Sequence, residues 1–105
     1  MCKSIILSQR GDTYVSLCTQ CKLVYVWHKT VMLTFKKKQF KNFIDYSIEI
    51  PYLDNLFLFP DGSSRFVLNT PSQEINFAFT EEEWLDFAEA MREAHYMQEV
   101  YQLIG

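Results

Sequence analysis

The sequence predicts an α+β domain of about seven short antiparallel strands and two helices. The clearest signal lies in residues 75–97. Phe77 and Phe79 alternate with small or polar residues, as in a strand with one buried face. Thr80 follows, and Glu83 completes the pattern of an N-terminal capping box. We therefore predict a strand, a sharp corner at Thr80 and a helix that packs back onto its own sheet.

An earlier stretch carries the same pattern in weaker form. Leu33 and Phe35 precede Phe40 and Phe43 with the spacing at which Phe77 and Phe79 precede Trp84 and Phe87. A repeat of apolar positions at one constant offset predicts two related units. The predicted βββα units cover residues 13–47 and 55–97 of a single domain, 1–105.

The remaining elements follow from short runs of apolar and β-forming residues separated by turn residues. The strands are predicted at residues 3–9, 13–17, 23–27, 31–35, 56–59, 65–69 and 75–79, with the first helix at 36–46. We expect one strongly curved sheet or half-barrel with the helices on its concave side, and the alternative is a seven-stranded barrel plugged by the C-terminal helix. The aromatic residues predicted to fill the core are Trp27, Phe57, Phe59, Phe66, Phe77, Phe79 and Trp84.

Composition limits the class of protein. The 105 residues suit one domain, and a hydrophobic share of 49% supplies a core. A formal net charge of −3 makes nucleic acid an unexpected partner. No apolar run approaches the ~20 residues of a membrane span, and the first residues lack the pattern of a signal peptide. We expect a cytoplasmic protein that does not enter a membrane.

Three cysteines and one histidine form the candidate metal site: Cys2, Cys18, Cys21 and His95. Hairpin pairing brings the three thiols to one end of the first strands, and Cys18 and Cys21 have the CxxC spacing of zinc sites. The motif lies between two strands rather than at a helix N-terminus, which favours structural zinc over redox catalysis. The alternative is that the cysteines are buried as small apolar side chains.

A cluster of lysines at the first helix is the candidate anion site: Lys36, Lys37, Lys38 and Lys41. It would give weak contact with an anion or a nucleic acid. The alternative is a solvated charged face.

The end of the chain is the candidate interface. Its apolar residues lie on a different face from the stripe formed by Trp84, Phe87, Ala88, Met91 and His95. We therefore expect either that the helix bends or ends near Tyr96 or that the tail covers a second surface. The interface residues are Met97, Val100, Tyr101, Leu103 and Ile104. They predict either a homodimer or a tail that covers its own sheet.

Motifs of catalysis are missing from the sequence: it contains no phosphate-binding glycine loop, no HExxH and no GxSxG. The prediction is therefore a non-catalytic interaction module with a protein partner, no required cofactor and zinc as the alternative ligand.

Several motifs together resemble a small uncharacterised bacterial family of short chains with a CxxC after an early strand. They are ILSQRGDTYVSLCTQC at residues 6–21, the FxxF of Phe40 and Phe43, FPDG at residues 59–62, and INFAFTEEEW at residues 75–84. The resemblance covers nearly the whole chain. It implies the architecture and implies no activity.

Overall fold

The computed structural model describes residues 4–104, with side chains for residues 4–103. Residues 4–104 form seven strands and two α-helices, so the predicted α+β class is confirmed. The strands are β1 (Ser4–Arg10), β2 (Thr13–Cys18), β3 (Leu23–His28), β4 (Val31–Lys36), β5 (Leu56–Leu58), β6 (Ser64–Asn69) and β7 (Asn76–Phe79). The helices are α1 (Lys37–Glu49) and α2 (Glu81–Ile104), and a 3-10 turn at Leu53–Asn55 precedes β5.

The strands form two open antiparallel sheets rather than one. The first has the order β1-β2-β3-β4 and the second β5-β6-β7. The expectation of a single curved sheet is corrected, and the closed barrel is wrong. The reason is the connection: α1 begins directly after β4 and carries the chain away, so β4 and β5 do not pair among the described residues. A barrel requires every edge strand to find a partner.

Tight hairpin turns connect the strands of the first sheet. Lys22 and Lys29 adopt left-handed backbone conformations with φ of 58° and 56°. Short hairpins favour positive φ because the turn must match the twist of the strands. The amide of Lys29 also donates a hydrogen bond to the carbonyl of Asp12 at 3.2 Å, which ties the β3–β4 turn to the β1–β2 turn.

A β-bulge in β1 turns two consecutive side chains inward. The pairing register with β2 shifts between Ile6 and Ser8, and Leu7 and Ser8 are both buried. A bulge places an extra residue on one strand and breaks the alternation of faces. As a result, the Ser8 hydroxyl donates a hydrogen bond to the carbonyl of Ala90 in α2 at 2.6 Å.

Helix α2 joins the two sheets into one core. It follows β7 of the second sheet, yet it packs across β1 and β2 of the first. Its core-facing line runs through Phe87, Ala90, Met91 and Ala94, where the alanines allow a close approach to the strands. The predicted stripe was right at Phe87 and Met91, whereas His95 lies half-buried beside it.

Helix α2 does not end near Tyr96, as one of the predicted alternatives had it, because it continues to Ile104. Gln98 is buried and Met97 and Tyr101 pack against the core, so the inner face of the helix extends through the tail. Phe57 was wrongly placed in the core. It is half exposed on the three-residue edge strand β5, where Leu56 packs inward instead.

Candidate functional site

The outer face of α2 carries three exposed apolar side chains. Leu85, Tyr96 and Leu103 have exposed fractions of 59%, 65% and 87%. A helix advances about 100° per residue, so these three side chains lie within roughly 20° of one line. We call them the outer stripe. The exposed charged residues Glu89, Arg92 and Glu99 lie between them on the same face of the helix, so the apolar side chains form a spaced row rather than a continuous patch.

A groove between α1 and α2 lies beside the outer stripe and shares Leu85 with it. It encloses about 270 Å³ and is lined mainly by apolar side chains, including Ile44, Ala88 and Met91. Ile48 on α1 and Leu85 on α2 form its exposed lips, and Ile48 is 63% exposed. The N-terminal half of α2 therefore presents a concave apolar surface beside the stripe. We call it the α1–α2 groove.

A polar cluster lies where the N-terminus of α2 meets the first sheet. The Nδ1 atom of buried His28 is hydrogen-bonded to the hydroxyl of buried Thr13 at 3.1 Å. Its Nε2 atom lies 3.9 Å from Oε2 of Glu83, and the same oxygen accepts from Nζ of Lys29 at 2.7 Å. The phenyl ring of Phe79 and the imidazole form a T-shaped pair with a centroid distance of 4.9 Å. The cluster thereby connects β2, the β3–β4 turn and α2.

The charge states in this cluster are fixed by its contacts. Burial opposes ionisation of Glu83, but the hydrogen bonds from Lys29 and from the Thr80 amide outweigh it and lower the pKa to about 2. The hydrogen bond to Glu83 raises the pKa of Lys29. Burial lowers the pKa of His28, against the opposing effect of Glu83, so the imidazole is largely neutral at pH 7.

A polar cleft of about 260 Å³ opens beside the cluster and is lined by Asp12, Glu82 and Asp86 as well as His28 and Glu83. Gly11 lies at its rim with a φ of 52°, a left-handed backbone conformation that favours glycine. Near pH 7 Lys29 keeps its proton and Glu83 stays ionised, so neither residue of the ion pair readily donates or accepts a proton. The arrangement suits a structural junction better than acid–base catalysis.

Sequence reasoning did not find this cluster. It identified Glu83 only as a capping residue and did not include His28 in any candidate site. The two residues are far apart along the chain, and they meet because α2 crosses from the second sheet to the first. The one local signal was the pair His28 and Lys29, which forms a turn between predicted strands.

The cysteines keep part of their predicted arrangement. Cys18 is buried at the end of β2, Cys21 is exposed in the following turn, and the amide of Cys21 donates a hydrogen bond to Sγ of Cys18 at 3.3 Å. Cys2 lies outside the described residues. His95 is on α2, where its Nε2 atom lies 3.6 Å from Oε1 of Glu99.

Within residues 4–104, no three His, Cys, Asp or Glu side chains are grouped closely enough to hold a metal ion. Cys18, Cys21 and His95 therefore do not form a site by themselves. The four-ligand zinc site that includes Cys2 stays a prediction.

The lysines occupy the end of β4 and the first turns of α1. Lys36, Lys38 and Lys41 are exposed, and Lys37 is half-buried. The first turn of α1 contains no acidic residue to offset them. Their contact with an anion stays a prediction.

The predicted interface residues divide between two faces of α2. Met97 and Tyr101 pack against the core of their own chain, Val100 is half-buried, and Leu103 belongs to the outer stripe. The side chain of Ile104 lies outside the described set. The sequence-based interface did not include Leu85 and Tyr96, which precede the tail residues from which it was built.

None of the helices in the described part of the chain is long and apolar enough to cross a membrane. No curated protein and no solved structure matches the chain. A family described as "Family of unknown function (DUF6686)" matches residues 1–103. This confirms the resemblance to an uncharacterised family, whereas its bacterial origin and early CxxC stay predictions. The chain belongs to the DUF6686 family.

Proposed function

We propose that this protein is a non-catalytic interaction module that binds a protein partner through the outer face of α2. The observation that carries the proposal is the outer stripe. Leu85, Tyr96 and Leu103 align along a 24-residue helix whose opposite face is packed on the core. Burying such side chains against a partner removes apolar area from water, at roughly 25 cal/mol per Å².

The α1–α2 groove supports the same proposal. A concave apolar surface between two helices accepts the apolar side chains of a third helix, as in other helix-in-groove interfaces. The lips formed by Ile48 and Leu85 are continuous with the outer stripe. The proposed binding surface combines the groove with the spaced apolar side chains of the stripe, and the exposed charges of Glu89, Arg92 and Glu99 lie between them.

The polar cluster also favours binding over catalysis. Glu83 accepts hydrogen bonds from the Thr80 amide at 2.9 Å and from Lys29 at 2.7 Å. These contacts hold the N-terminus of α2 against the first sheet. A rigidly seated helix presents the outer stripe with little loss of entropy on binding.

A photo-crosslinking amino acid at Tyr96 tests the proposal in living cells. Tyr14 provides the matched control, because it is also an exposed tyrosine but lies on β2. We expect a covalent protein adduct from position 96 and none from position 14. Equal labelling from both positions, or no adduct from position 96, would contradict the proposal.

A further inference from the structure

A cavity of about 330 Å³ opens where the β2–β3 turn, the start of α1 and the end of α2 come together. We infer that it binds a small organic anion through a phosphate or carboxylate group. The cavity is separate from the outer stripe, so this binding goes beyond the proposed function. Its volume lies at the small end of the range of ligand sites, which is about 300–1,000 Å³.

Two lysines from different elements border the cavity. Leu23 of β3 pairs with Lys36 of β4, so Lys22 and Lys37 are the next positions along the two neighbouring strands. The amide of Lys22 donates a hydrogen bond to the carbonyl of Cys18 at 2.8 Å, which closes the β2–β3 turn. The hairpin thereby brings one lysine of the turn to the same opening as the first residue of α1.

The cavity is positively charged, although the formal net charge of the chain is −3. Among the described residues, no Asp or Glu lines it. Lys22 and Lys37 form no ion pair within residues 4–104, whereas Lys29 is paired with Glu83. Two cations that border one opening without a carboxylate between them attract an anion.

The start of α1 adds hydrogen-bond donors for an anion. Lys37 is the first residue of this 13-residue helix, and the first amides of a helix have no partner within it. The helix dipole places partial positive charge at this end, where the first turn contains no acidic residue. A bound oxyanion would supply the negative charge that the sequence of α1 omits there.

A buried glutamine on α2 borders the same cavity. Gln98 is only 6% exposed, and its side-chain amide has no hydrogen-bond partner within residues 4–104. No polar side-chain atom in that part of the chain is both fully enclosed and unpaired, so the amide of Gln98 reaches the open space of the cavity. An unpaired amide in a buried side chain is costly, and its NH₂ group can donate to an oxyanion.

The apolar part of the lining defines the body of the ligand. Ile5, Leu17 and Tyr101 belong to the core or pack against it, and all three border the cavity. A ring or short chain attached to the anionic group would cover these side chains from water. The ligand class is therefore a compact organic phosphate or carboxylate.

The first test titrates the full-length protein with phenyl phosphate and follows the side-chain amide signals of Gln98 by ¹⁵N NMR. Loss of those signals in Gln98→Leu assigns them. We expect a saturable shift of the Gln98 signals with phenyl phosphate or with benzoate, and the tighter of the two identifies the anionic group. Benzyl alcohol is the neutral control and should give no saturable shift, because it lacks the charge that the lysines attract.

The second test removes the charges one at a time. Lys22→Asn and Lys37→Gln should each raise the Kd of the tighter anion by about tenfold, because each removes a charge-assisted contact. Asparagine also tolerates the φ of 58° at position 22, so the turn should keep its conformation. Lys38→Gln is the matched control, since Lys38 is exposed on the same helix but does not line the cavity, and it should leave the Kd unchanged.

Three results would overturn the anion site. The first is an absence of any saturable shift at Gln98 with both anions at high millimolar concentration. The second is binding of benzyl alcohol as tight as that of the anions, which would make the cavity merely apolar. The third is an equal loss of affinity in Lys38→Gln and Lys37→Gln, which would assign the binding to the general charge of the lysine cluster.

Discussion

At the end of β4 the amide of Lys36 donates a hydrogen bond to Oε1 of Gln39 at 2.9 Å, and at the end of β7 the amide of Thr80 donates to Oε1 of Glu83 at the same length. Both corners turn a strand directly into a helix. Only the second corner returns the bond: the amide of Glu83 donates to the hydroxyl of Thr80 at 3.2 Å. A lysine side chain cannot accept such a bond.

The two corners share a local hydrogen-bond pattern but contribute differently to the tertiary structure. At the first corner, lysines oppose the helix dipole, and α1 depends on the burial of Phe40, Phe43 and Ile44. At the second corner, three acidic residues favour the dipole, and Glu83 also holds Lys29 of the first sheet. The helix after the first corner only contributes side chains to the core. The helix after the second corner contributes to the core and is also held to the first sheet by Glu83, and it carries the outer stripe.

The likeness extends to the core. Phe43 and Phe87 occupy matching positions in the two predicted repeat units, and both are buried. Their ring centroids lie 6.4 Å apart. The repeat itself stays a prediction, and substitutions at the matching positions would sharpen or break the comparison.

The largest expected effect comes from removing these rings. Phe87→Ala should cost about 4 kcal/mol and Phe43→Ala about 3 kcal/mol, because truncating a buried phenylalanine leaves a cavity. The difference arises because Phe87 contacts His28, Phe77 and Phe79 in addition to Phe43. Urea unfolding gives both values. A larger loss at Phe43 would mean that α1, not α2, dominates the core.

The next effect concerns the charge of Glu83. Glu83→Gln keeps an acceptor for the Thr80 amide, as Gln39 provides at the first corner, but removes the ion pair. We expect a loss of about 1–2 kcal/mol at pH 7, below the full value of the pKa shift because the pair is partly exposed to solvent.

The pH dependence of that loss follows from the sign of the shift. The folded pKa of Glu83 is about 2, below the ordinary value of 4.5 for a glutamate. Its contribution is therefore complete above pH 4.5 and is lost as the pH falls toward 2, so the variant and the wild type should converge in acid. Glu82→Gln is the control, because it removes the same charge from an exposed neighbour. A difference that persists at pH 2 would exclude the ion pair as its cause.

The smallest effect would make the first corner resemble the second. Lys36→Thr supplies the missing hydroxyl acceptor for the amide of residue 39. Because threonine also suits the end of a strand, we expect stabilisation by about 0.5–1 kcal/mol. Thermal and urea unfolding would measure it, with Lys38→Thr as the control, since Lys38 is exposed in the same helix but does not cap it. Destabilisation would show that the two corners are not equivalent.

The sequence determined the elements because their signals are local. Short apolar or alternating runs between turn residues predicted the seven strands, and helical spacing predicted both helices. Thr80 with Glu83 predicted the capping box that the hydrogen bonds confirm. Each of these patterns acts over a few residues, so neighbours along the chain are enough to specify it.

The tertiary structure alone decided how the elements combine. Alternation shows which face of a strand is buried but not which strand is its neighbour, so the division into two sheets could not be predicted. His28 meets Glu83 only because α2 crosses from one sheet to the other. The same crossing turns Leu85, Tyr96 and Leu103 outward, since the face of a helix that meets water is whatever the core leaves uncovered. Which strands pair and which face of α2 is buried depends on contacts between residues far apart along the chain, and a short sequence pattern does not contain that information.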